Sequence, residues 1–193
     1  MKELVFLLEE ESAKAMLESL LPRILNTGIK SRLLAFEGKQ DLEKQMVRKM
    51  KHYINPHARF IVMRDQDATP DWRDLKKALL TRCTEAGRNN VSLVRIACRE
   101  LETFYLADLA AVETGLGIKG LAKQQGIAKF RAPDQLQKPS KELLTLTKHR
   151  YQKVSGSRII GQYLDVGNER SCSFKNLIAG IKRMEQELLG LAA

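Results

Sequence analysis

Four short apolar runs of strand type, residues 3–8, 29–36, 60–63 and 91–98, are separated by amphipathic helical patterns. After the first come Met16, Leu17, Leu20, Leu21 and Ile24 at helical spacing, with Ser12 as the expected N-cap and Pro22 as a kink or stop. After the second, Leu42, Met46 and Met50 form an i, i+4 stripe on a basic helix that Asn55-Pro56 ends. After the third, Thr69 and Pro70 read as N-cap and first helical position of a helix through Leu75, Leu79 and Leu80 to Ala86. Strands joined by helical crossovers pair in parallel, with right-handed connections and helices on both faces. The expected fold is α/β: a mostly parallel sheet of about four strands flanked by helices.

Each of three runs ends in acidic residues. Glu9, Glu10 and Glu11 follow the first, Asp65 and Asp67 the third, and Glu100 and Glu102 the fourth. Ligand sites in parallel sheets lie at the carboxyl ends of strands. If the third strand stays extended, Asp65 and Asp67 point to one side, as oxygen ligands of a hard divalent cation would. The alternative is that these acids are turn formers and helix N-caps. One acid after a strand arises easily by chance. Acids after three separate strands favour a metal site.

The chain has 193 residues, enough for one sizeable core with a small appendage. From residue 115 its character changes. Residues 115–158 hold ten Lys or Arg against only Asp134 and Glu142, which accounts for most of the net charge of +10. The expected organisation is a core over 1–114 and a basic, mainly helical extension over 115–193 packed on it. Residues 115–140 read as loop with short helical pieces, 143–151 and 157–164 as short helices, and 174–189 as a final helix. That last helix carries one apolar stripe, Leu177, Ile178, Ile181, Met184 and Leu188.

A basic surface of this kind suits a polyanion such as nucleic acid. No apolar run is long enough to span a bilayer, and the acidic residues after Leu8 argue against a signal peptide, so no membrane partner is expected. Cys83, Cys98 and Cys172 are scattered, without a Cys-x-x-Cys pair. That fits free thiols and a cytoplasmic protein better than a zinc site or disulfide framework. His52, His57 and His149 lie in unrelated contexts. The sequence leaves self-association open.

The segment Leu8-Glu9-Glu10-Glu11-Ser12 resembles the first-strand motif of Toprim (topoisomerase–primase) domains, in which a glutamate is followed by Gly, a variable residue and Ser. Asp65-Gln66-Asp67 resembles that family's later Asp-x-Asp. More narrowly, residues 7–17, 62–67, 95–108 and 156–177 resemble small Toprim-like proteins related to OLD-type nucleases, which occur with ABC-class ATPases in anti-phage defence. Two positions depart from the wider motif: Glu10 stands where it has Gly, and Ala13 where it often has an acid.

The resemblance implies a metal-dependent nuclease hydrolysing phosphodiester bonds in DNA or RNA with Mg²⁺ or Mn²⁺. Glu9, or Glu10 beside it, would be the catalytic glutamate and a metal-linked group. Asp65 and Asp67 would be catalytic metal ligands, and Glu100 and Glu102, which match a later acidic motif of the narrower group, would be further metal ligands. Lys119, Lys123, Lys129, Arg131, Lys148, Arg150, Lys153 and Arg158 would hold the nucleic-acid backbone. The chain has no G-x-x-x-x-G-K-[ST] loop, so any use of ATP would come from an ABC-class ATPase partner. The competing expectation is a catalytically silent Toprim-like subunit that binds a partner protein or nucleic acid.

Overall fold

The computed structural model describes residues 1–191, so the last two residues of the expected 115–193 extension lie outside it. Its centre is a four-stranded, all-parallel sheet of β1 (Glu3–Leu8), β2 (Lys30–Ala35), β3 (Ala58–Asp65) and β4 (Ser92–Ala97), in the order β2-β1-β3-β4. The register pairs Leu8 with Ala35 on one side and with Met63 on the other, while Asp65 pairs with Ala97. Every residue of β1 is buried, as a central strand covered on both faces must be.

The order reverses at β1. The chain steps outward from β1 to β2, then crosses back over β1 to β3. Right-handed crossovers in opposite directions put the connecting helices on opposite faces. Helix α1 (Glu11–Leu20) therefore lies on one face, with Leu4, Phe6, Leu8, Ile61 and Met63 beneath it in one apolar cluster. Helices α2 (Lys39–Lys51) and α3 (Trp72–Glu85) lie on the other, over Val5, Leu7, Phe60, Val62 and Val94. The carboxyl ends of β1 and β3, flanking this reversal, form the crevice where open α/β sheets bind ligands.

The rest of the chain builds onto the α1 face. It comprises α4 (Glu102–Leu106), α5 (Leu109–Leu116), α6 (Ala128–Arg131), α7 (Pro139–Leu146), α8 (Lys153–Gly161) and α9 (Cys172–Leu189). Leu143, Tyr151, Ile160 and Leu164 share a cluster with Leu4 and Phe6, as do Leu177, Ile181 and Met184 of the α9 stripe.

Helices α1 and α8 pack backbone against backbone at Gly161. A Cβ on Gly161 would lie 2.7 Å from the Met16 carbonyl oxygen and 3.2 Å from its Cα. Since backbone cannot rotate away, Gly161→Ala should push the two helices apart and cost about 1–3 kcal/mol in urea unfolding. Gly190→Ala, whose nearest contact would be an ordinary 3.5 Å, is the control and should be near neutral.

Two N-caps differ from expectation. Glu10, not Ser12, occupies the N-cap of α1, and Ser12 is buried in the first turn with its hydroxyl donating to Glu10 Oε1 at 2.9 Å. Helix α3 begins at Trp72 rather than after Thr69, because the Asp71 carboxylate accepts the Arg73 N–H at 2.8 Å. Helix α1 ends at Leu20, and Pro22 sits in a single 3₁₀ turn, Leu21–Arg23. The expected helix over 143–151 starts earlier, with Pro139 in its first turn, and stops before Lys148 and His149, both at positive φ. Similarly, α8 lies a few residues earlier than the expected 157–164.

Candidate functional site

The crevice is built from the residues that follow β1, β3 and β4. The Asp65 N–H donates to Glu9 Oε2 at 3.0 Å, which ties the ends of β1 and β3 together. The Leu101 N–H donates to Asp65 Oδ2 at 3.1 Å, which ties in the turn after β4. Glu102, at the start of α4, is 1 % exposed, and its Oε1 accepts the Tyr151 hydroxyl at 3.0 Å. Glu10 Oε2 accepts Lys153 Nζ at 2.7 Å. Two elements of the basic C-terminal part thus reach into the acidic group: Tyr151, just before α8, and Lys153, its first residue.

The protonation equilibria reflect crowding of like charge in a dry place. Burial, followed by the charges of Glu102, Glu9 and Glu10, raises the Asp65 carboxyl well above the usual range. Burial also raises Glu9, with the Asp65 N–H and Arg64 opposing and the charges of Asp67 and Glu10 reinforcing. Glu102 is raised by burial against the pull of its own backbone N–H, Lys153 and Tyr151. Burial works to lower Lys153. The hydrogen bond to Glu10 and the charges of Glu10, Glu102 and Asp65 outweigh it, so the ammonium is held above its ordinary pKa. One carboxyl oxygen of Glu9 (Oε1) and one of Asp65 (Oδ1) accept no hydrogen bond among the described residues. The fully buried Tyr105 hydroxyl also lacks a well-aligned partner; burial raises its pKa, with Ser157 opposing and the charges of Glu102, Asp65 and Glu10 reinforcing.

Asp67 lies beside this group, its charge raising Glu9, but its own bonds go elsewhere. The chain turns at Asp67 with φ 54°, so the extended geometry that would align Asp65 and Asp67 is lost. Its backbone N–H instead donates to the Arg99 carbonyl at 2.7 Å, and its carboxylate meets Lys39 Nζ at 3.2 Å. Glu100 accepts the Ser140 N–H at 2.6 Å, anchoring the start of α7. Asp67 and Glu100 line an adjoining open cleft with Arg99 and Lys138. Among the described residues, no three His, Cys, Asp or Glu converge closely enough to hold an ion as they stand.

All eight basic residues singled out from the sequence are exposed. Lys153 reaches the acidic group. Lys129 pairs with Glu142 and Arg158 with Glu18, while Arg131 and Arg150 hold the Gly126 and Leu116 carbonyls. Lys119, Lys123 and Lys148 make no ion pair among the described residues.

Sequence reasoning passed over Lys39, Arg99, Tyr105 and Tyr151. Lys39 and Arg99 each follow a strand run by a few residues, so the rule that singled out the acids could have found them. Tyr105 and Tyr151 carry no such signal.

A family model described as a domain of unknown function, DUF4276, matches residues 8–182. The chain belongs to the DUF4276 family. Among solved structures, this DUF4276 chain is similar to the C-terminal region of the Burkholderia pseudomallei OLD protein. The TM-score is 0.53 at 15% identity, over 96% of this chain and 98% of that one. At that identity the likeness is one of fold. No curated protein sequence matches the chain. No described helix is long and apolar enough to cross a membrane.

Proposed function

We propose that this DUF4276 protein is a Toprim-like, metal-dependent nuclease that hydrolyses phosphodiester bonds in DNA or RNA and acts in anti-phage defence under the control of an ABC-class ATPase. The observation that carries this reading is the joining of Glu9, Asp65 and Glu102 from three strand ends at the reversal of strand order. Burial raises the pKa of all three, and the charges of Glu102 and Glu9 raise Asp65 further, a cost that pays for nothing unless a cation or a reacting group uses them.

The donor set fits Mg²⁺ or Mn²⁺ in its chemistry. It offers hard carboxylate oxygens, of which Glu9 Oε1 and Asp65 Oδ1 are free of other bonds, beside an orphaned tyrosine hydroxyl. Glu9, Asp65 and Glu102 would hold the ion, with Asp67 and Glu100 at the edge of the neighbouring cleft. Such an ion, when bound, neutralises phosphate charge and acidifies a coordinated water. Lys153, held cationic by the surrounding acids, would face a scissile phosphate. Exposed Lys119, Lys123 and Lys148 would grip the backbone, making binding steeply salt-dependent.

A second reading has two observations behind it. Glu10 is occupied by Lys153 and Ser12, and no three acids converge as they stand, as suits a silent subunit that binds a partner or nucleic acid.

Calorimetry with Mn²⁺ on the wild type and on Asp65→Ala separates the two. The nuclease reading expects binding that the substitution abolishes, together with metal-dependent cleavage of plasmid, single-stranded DNA or tRNA. A folded wild type that binds no Mn²⁺, with or without nucleic acid, would sink it.

A further inference from the structure

The two edges of the sheet are treated differently. In a parallel ladder, alternate residues turn their N–H and C=O toward the neighbouring strand and the rest turn them outward. At β4 part of the outward row is engaged. Arg95 bonds the Val94 carbonyl at 3.0 Å, and Ser173 Oγ accepts the Cys98 N–H at 3.3 Å. At β2 the Lys30 and Phe36 N–H groups donate to the Lys2 and Leu8 carbonyls of the β1 strand, so Ser31, Leu33 and Ala35 face outward. Among the described residues, no side chain or loop bonds to their backbone groups.

A cleft lies on each side of this open edge. On the α2 side, a cleft of about 700 Å³ is lined by Lys30, Arg32, Lys49, His52 and Tyr53, and beside it Ile54 is 96% exposed. Its one acid, Glu3, is already held by Tyr53 and Asn55. On the α1 side, a cleft of about 280 Å³ is lined by Leu17, Leu21, Pro22 and Leu33, with Lys14 and Glu18 at its rim. A strand laid along β2 would send alternate side chains into the two clefts, since its own side chains alternate between faces.

We propose that β2 is a docking edge for an extended segment of a partner protein in which acidic and apolar residues alternate. The acidic side chains would enter the Lys30/Arg32/Lys49 cleft and the apolar ones the Leu17/Leu21/Leu33 cleft. Charge selects this occupant. Basic side chains on an edge strand repel another copy of the same edge, a known guard against self-pairing, and the same charges attract an acidic strand. Main-chain hydrogen bonds to Ser31, Leu33 and Ala35 would supply affinity, and the two clefts specificity. Downstream of β2, the Gly38 N–H bonds the Glu9 carbonyl at 2.9 Å, so an occupant would end close to the acidic crevice.

The probe is a synthetic peptide alternating Glu and Val, with a Lys/Val peptide and single-stranded DNA as comparators. Binding is read by fluorescence anisotropy, and its location by amide hydrogen exchange. The expected result is binding of the Glu/Val peptide alone, with amide protection rising at least about tenfold at Ser31, Leu33 and Ala35. Leu33→Pro removes an outward N–H that the sheet does not use, and should abolish binding. Arg32→Glu should reverse the preference toward the Lys/Val peptide.

Absence of peptide binding, or binding without protection at those amides, would overturn the proposal. So would single-stranded DNA that competes for the clefts, which would make them a polyanion site. A dimer of the chain alone that Leu33→Pro dissolves, seen by analytical ultracentrifugation, would give the edge to a second copy instead. None of these readouts depends on catalysis, so the docking edge and the nuclease reading stand or fall separately.

Discussion

Asp65→Asn should abolish metal-dependent hydrolysis while leaving the protein folded. Asn keeps the shape and can still accept the Leu101 N–H that Asp65 accepts at 3.1 Å. What it removes is the negative charge and a free oxygen at the centre of the acidic group. Loss of an outer partner of a metal site commonly costs about 10–100-fold, so loss of a direct ligand should lower turnover by at least about 100-fold. Glu9→Gln should behave alike. Lys39→Ala should be milder, because Lys39 pairs with Asp67, at the edge of the neighbouring cleft. Single-turnover cleavage of a labelled substrate, with circular dichroism to check folding, would measure this. If Asp65→Asn retained wild-type turnover, the assignment of the crevice as the reacting centre would be wrong.

The fold and part of the site were legible for different reasons. The strands could be read to within a residue or two because each apolar run is bounded by turn-forming residues and separated by helical periodicity. The meeting of Glu9 and Asp65 could be read because the ends of adjacent parallel strands lie side by side at one edge of the sheet. The extended geometry on which the alignment of Asp65 and Asp67 depended does not persist to Asp67. A single positive φ, tied by the Asp67 N–H to the Arg99 carbonyl, breaks the period of two that the reading needed. The helix starts were misjudged by about two residues because Ser12 and Thr69 compete with neighbouring acids. Glu10 and Asp71 took the N-cap positions, and Ser12 was drawn into the interior.

The contributions of Tyr105, Tyr151 and Lys153 to the crevice could not be read at all. Lys153 was singled out from the sequence only as one of many cations on a basic segment. That it meets Glu10 follows from the packing of α8 against α1, which depends on Gly161 having no side chain against Met16. Such a contact spans about 140 residues of chain, as the Lys153–Glu10 pair itself does, and no local pattern encodes it. Tyr151 and Tyr105, whose ring centroids are 6.0 Å apart, are 46 positions apart in the sequence, with no pattern to link them.

The second large effect is on stability, and its sign follows from the same charges. Asp65, Glu9 and Glu102 have folded pKa values above their ordinary ones of 3.8, 4.5 and 4.5, with burial as the leading cause in each. The folded state therefore holds more protons than the unfolded state across this window. Stability then falls as pH rises from the unfolded values through the raised folded ones. Asp41 and Glu169, whose pKa values are lowered, act in the opposite sense but below this window. With divalent ions chelated, these groups should make the protein more stable near about pH 5 than near about pH 8, and Asp65→Asn should raise Tm at the higher pH. A bound cation should reverse this. An ion at about 100 times its Kd adds about 2.7 kcal/mol, and at about 2–4 °C per kcal/mol for a chain of this size that is about 5–10 °C in Tm. Near pH 5, protons compete for the same oxygens and the gain should shrink. Differential scanning calorimetry with and without Mg²⁺ at both pH values measures all four states. If Mg²⁺ failed to raise Tm at the higher pH while Asp65→Asn still did, the carboxylates would be crowded for a reason other than a metal, as the silent-subunit reading expects.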